Sequence, residues 1–97
     1  MITYLRTFRT FFILLALFLS ACAGIPVQEM SDARQAVEAA RSVGAATHAP
    51  AEMQLAEELL REAEQALTVR DYRTASERAK AAHAQAINAQ KKSLDQQ

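Results

Sequence analysis

From Glu29 to Gln97 the chain is built almost wholly from helix-favouring residues, and its strong breakers there are Gly44 and Pro50. Alanine alone supplies 18 of those 69 residues. Ala, Glu, Gln, Arg and Leu lose little conformational freedom in a helix, so the segment reads as all-α. Ser31 is placed to cap a first helix, with Asp32 at the positive end of its dipole. Gly44 and the loop Ala45 to Pro50 end that helix, and Pro50 suits the first turn of the next, with Glu52 close behind. The expected helices span about 31–44, 50–69 and 72–93.

The boundary between the last two comes from register, because no breaker marks it. Ala56, Leu59, Ala63 and Ala66 recur at heptad spacing, which would next place Arg70 on the stripe. Tyr72, Ala75, Ala79, Ala82, Ala86 and Ala89 keep the spacing but start two residues late. At about 100° per residue, that jump turns the stripe by about 200° on a continuous helix. A tight turn at Arg70-Asp71, with Asp71 capping the third helix, restores one shared face. The expected fold is a small Ala-rich three-helix arrangement, an antiparallel hairpin plus a preceding helix.

An internal repeat supports three equivalent helices. Ala33, Ala56 and Ala79 stand 23 residues apart, and each opens a similar pattern: Ala33-Ala36-Val37-Ala40-Val43, Ala56-Leu59-Leu60-Ala63-Ala66 and Ala79-Ala82-His83-Ala86-Ala89. Alanine buries little apolar area, so at about 25 cal/mol per Å² such a core is modest in so small a domain.

The front of the chain differs. Met1 to Thr10 carries Arg6 and Arg9 and no acid, and Phe11 to Leu19 is nine apolar residues without a break. A basic start, a short apolar core and small residues at its end describe an export signal, roughly half the length that a membrane span requires. Leu19-Ser20-Ala21-Cys22 resembles the bacterial lipobox. The resemblance implies cleavage after residue 21 and, on Cys22, a thioether-linked diacylglycerol and an N-acyl chain. Each buried CH₂ contributes about 0.8 kcal/mol, so two or three chains hold firmly. Cys22 is the sole cysteine, which leaves no disulfide partner. By resemblance to proteobacterial lipoproteins, in which an Asp after the cysteine retains the protein at the inner membrane, Ala23 implies an outer-membrane anchor facing the periplasm. Residues 22–28, with Gly24 and Pro26, are expected to form a short lipidated tether before a helical domain of residues 29–97.

Without Arg6 and Arg9 the remaining chain has 9 basic against 11 acidic residues, which excludes a nucleic-acid footprint. The two histidines, His48 and His83, have no histidine at helical i+3 or i+4, so no metal pair is expected. Glu57, Glu58, Glu62 and Glu64 surround Arg61 and read as a solvated, salt-bridged face rather than paired catalytic carboxylates. No catalytic residue, cofactor or small-molecule substrate is expected.

Three stretches together resemble a known family: Ser31 to Ala45, His48 to Leu67, and Arg70 to Ala86. The helix from Ala33 to Ala40, the Ala49-Pro50 opening and the Asp71-Tyr72-to-Ala75 junction are similar to the small helical envelope lipoproteins grouped as domain of unknown function 4398. His48 departs from the aromatic residue that family often has before Ala-Pro. The resemblance implies a helical domain on a lipid anchor, alone or ahead of an OmpA-like peptidoglycan-binding domain, with no enzymatic activity. No such extension is expected after Gln97.

Two roles follow. One is an adaptor that docks an envelope protein, with Tyr72, Ala75, Ala79, Ala82, His83 and Ala86 as the contact face. The other is a structural lipoprotein that assembles with itself through its stripes and contacts peptidoglycan. The interruptions at Gly44, Pro50 and Asp71, and the lack of a terminal lysine, favour the adaptor.

Overall fold

A computed structural model describes residues 2–22 and 24–97, with the side chains of 2 and 16–22 outside that description. Five helices follow in order: α1 (Ile2–Cys22), α2 (Val27–Ser42), α3 (Ala45–His48), α4 (Pro50–Thr68) and α5 (Tyr72–Asp95). Among the described residues α1 touches none of the other helices, whereas α5 packs along both α2 and α4. The all-α fold and the helical hairpin expected from the sequence are both present.

The first bundle helix starts earlier than the expected Ser31 cap. Pro26 (φ −82°, ψ 60°) is the centre of an inverse γ-turn, in which the Val27 N–H donates to the Ile25 carbonyl at 2.9 Å. Its own carbonyl accepts from the Met30 N–H at 3.0 Å, which opens α2. The proposed tether is thus half consumed by a turn and a helix. Ser31 lies inside α2, where its hydroxyl accepts from Gln35 Nε2 at 3.2 Å.

Gly44 ends α2 in the left-handed region (φ 80°), its N–H on the Arg41 carbonyl. The expected loop after it forms the single turn α3, because the Gly44 carbonyl accepts from both Thr47 and His48 N–H groups at 3.0 Å. Pro50 forces Ala49 out of the helical region (φ −142°), and the Ala49 carbonyl receives the Met53 N–H at 2.9 Å.

At the end of α4 the Asp71 N–H reaches the Ala66 carbonyl (2.9 Å) and the Arg70 N–H the Leu67 carbonyl (3.1 Å), a Schellman motif. Its left-handed position holds Arg70 at φ 62°, where glycine is usual. Asp71 then caps α5, its Oδ1 accepting from the Thr74 N–H at 3.2 Å. The two-residue register jump is resolved by this turn.

The core is alanine on alanine. Of the sixteen buried apolar residues among those described, thirteen are alanine, joined by Met30, Val37 and Met53. Met30 and Ala33 of α2 meet Ala63 of α4 and Ala79 and Ala82 of α5. Ala36, Val37 and Ala40 meet Met53 and Ala56 of α4 and Ala86 and Ala89 of α5. The bundle therefore runs up-down-up, with α2 parallel to α5 and α4 antiparallel to both. Ala33, Ala56 and Ala79, and likewise Ala40, Ala63 and Ala86, are all at 0% exposure, so the 23-residue repeat is a repeat of core positions.

Alanine leaves no room for a longer side chain between closely packed axes. Ala79→Leu is expected to lower unfolding free energy by about 1–3 kcal/mol in denaturant titration. At the two left-handed positions the effects have opposite sign. A Cβ on Gly44 would lie 3.3 Å from His48 Cδ2 at φ 80°, so Gly44→Ala destabilises, by about 1–2 kcal/mol. Arg70→Gly relieves the same strain and stabilises by up to about 1 kcal/mol, net of the added freedom of the unfolded chain.

Candidate functional site

The alanines expected to face a partner are the core itself. Ala75, Ala79, Ala82 and Ala86 have 0% exposure, enclosed by α2 and α4. Periodicity finds an apolar face but does not say what covers it. That correction leaves Tyr72 and His83 from the proposed contact set. Tyr72 is half-buried as the first residue of α5, and a Cβ built on Gly24 would lie 4.0 Å from its Cδ2. The ring thus packs where the chain enters the bundle. His83 is exposed on the rim of a shallow groove of about 300 Å³ between α2 and α5, with Asp32, Gln35, Ala36, Ala39, Ile87 and Gln90.

Cys22 ends α1, and its side chain, with those of Leu19, Ser20 and Ala21, lies outside the described residues. The described apolar side chains of α1 are uncovered, Phe8 and Phe11 each at 63% exposure. No described helix is long and apolar enough to cross a membrane.

Four glutamates of α4, Glu52, Glu57, Glu62 and Glu64, pair across helices rather than with Arg61. Glu64 meets Arg34 at 3.4 Å and Glu57 meets Arg41 at 3.2 Å, joining α4 to α2. Glu62 meets Arg78 at 3.3 Å and Glu52 meets Lys92 at 3.1 Å, joining α4 to α5. Such exposed pairs contribute roughly 0–1 kcal/mol each, so their main effect is on register. Among the described residues no three His, Cys, Asp or Glu side chains cluster as metal ligands would.

Two carboxyls are held below the usual carboxylate range. Glu52, in the first turn of α4, is lowered first by its own backbone N–H and then by Lys92. Asp71 is lowered by the hydrogen bonds of Thr74. A depressed folded-state pKa supplies stability that is complete above the unfolded value and disappears as pH falls through the folded one. The thermal midpoint should therefore drop as pH is lowered from about 6 to about 3. The Glu52→Gln, Asp71→Asn double variant should show a smaller drop in the same calorimetric series.

Outside α1 the exposed large apolar residues are Ile25, Val27, Leu55, Val69 and Leu94. Ile25, Val27 and Val69 share the end of the bundle at which the chain enters from Cys22. Their exposure, unlike the alanine stripe, has no periodic signature in the sequence.

The family model described as Domain of unknown function (DUF4398) matches residues 28–97. No curated protein and no solved structure matches the chain.

Proposed function

The chain belongs to the DUF4398 family, and from that premise we propose that it is a lipid-anchored envelope lipoprotein whose bundle is a non-enzymatic adaptor. The observation that carries the anchor is the basic, apolar and small-residue order ending in Leu19-Ser20-Ala21-Cys22. The isolation of α1 supports it: a helix with uncovered apolar side chains and, among the described residues, no contact with the bundle can be removed without opening the core. Cys22 then carries diacylglycerol and an N-acyl chain, and Ala23 directs the protein to the outer membrane, facing the periplasm.

The adaptor role is supported by where the alanine stripes go. Those of α2, α4 and α5 bury one another within one chain. That removes the main motive for a self-assembling structural protein, whose stripes would have to meet between copies. What remains outside is a solvated, charge-laced surface carrying His83 and a few apolar residues, suited to reversible docking of an envelope protein.

Cys22→Ala should abolish incorporation of labelled palmitate in cells and release the protein from the membrane fraction. A variant that stays acylated and membrane-bound contradicts the anchor.

A further inference from the structure

We propose that the anchor-proximal end of the bundle seats directly on the bilayer that holds the lipid, through Ile25, Val27 and Val69 with Tyr72, Arg70 and Arg73 around them. This rests on the anchor reading above and adds to it an orientation and a second membrane contact. Ile25 is three residues beyond Cys22, so the chain holds it within about 11 Å of the anchor. The fold brings the α4–α5 turn to the same place, since Tyr72 packs beside Gly24 and α2 starts where α4 ends.

The two ends of the bundle differ. Val69 is 75% exposed, Val27 68% and Ile25 47%, whereas the distal half exposes Leu55 at 43%, on the side of α4, and Leu94 at 52%. Apolar residues that cost burial energy in water gain an environment at the acyl boundary, and a tyrosine suits the headgroup level. The turn also carries two arginines. Arg70 projects at the turn, and Arg73 makes only a surface pair with Glu77 at 3.5 Å. Asp71, the acid between them, accepts from the Thr74 N–H and keeps its negative charge. The turn thus offers guanidinium groups to lipid phosphates. Glu29 and Asp32 at the start of α2, with Asp71 and Glu77 at the start of α5, are the acids at this end that a headgroup must accommodate. Because the tether already confines the bundle to the surface, weak contacts suffice to orient it.

The test uses the mature, lipidated chain in vesicles of phosphatidylethanolamine and phosphatidylglycerol. Cys22 is occupied by lipid, so Val69→Cys or Leu94→Cys provides a single thiol for an environment-sensitive fluorophore. The expected result is a blue shift and quenching by spin-labelled lipid at position 69, with neither at 94. Vesicle flotation separates the anchor from the seating. Protein that fails to float overturns the anchor reading together with this seating. Protein that floats with both probes equally in water, or with self-quenching between copies but none by lipid, overturns the seating alone.

Discussion

Everything in this molecule depends on the contact of alanine with alanine along three helices. An alanine seam lets helix axes approach closely, so packing is dense although each side chain buries little. The consequence is a core with no reserve. Its large side chains are few: Met30 and Met53 at 2% exposure each, with Leu59, Leu60, Leu67 and Ile87 partly buried against the clusters. A surface built this way is also nearly featureless along its length, and methyl groups alone specify neither direction nor register.

Direction and register come from the ends and edges. The Pro26 turn, the Gly44 stop, the Ala49-Pro50 start and the Schellman turn at Arg70 fix where each helix begins and ends. Gln97 contributes too, its Nε2 donating to the Val43 carbonyl at 2.7 Å and tying the end of the chain to the end of α2. The four ion pairs that cross between helices then select one sliding position. Each is weak by itself, but a misregistered bundle would forfeit several together and place like charges opposite one another.

Much of this was legible in the sequence. The 23-residue spacing of Ala33, Ala56 and Ala79 marks positions that are all fully buried, and the two-residue slip at Arg70 locates a real turn capped by Asp71. The start of α2 was missed because Ser31 is the better intrinsic cap. The available signal was Pro26, which opens a helix much as Pro50 does. The partner face was misassigned for a deeper reason. A heptad stripe reads identically whether another helix of the same chain or a different protein covers it. The interhelical pairing of Glu57, Glu62 and Glu64 was equally hidden, since a neighbour in sequence, Arg61, competed with partners that only the fold brings near.

One chain satisfies its own alanine stripes, which leaves the outer surface of the bundle uncovered by its own helices. Sedimentation equilibrium of residues 24–97, with helicity followed by circular dichroism over the same concentrations, tests it most directly. The expected result is a helical monomer whose ellipticity per residue is unchanged on dilution. An oligomer that loses helix as it dissociates would contradict it, because the stripes would then be burying one another between chains.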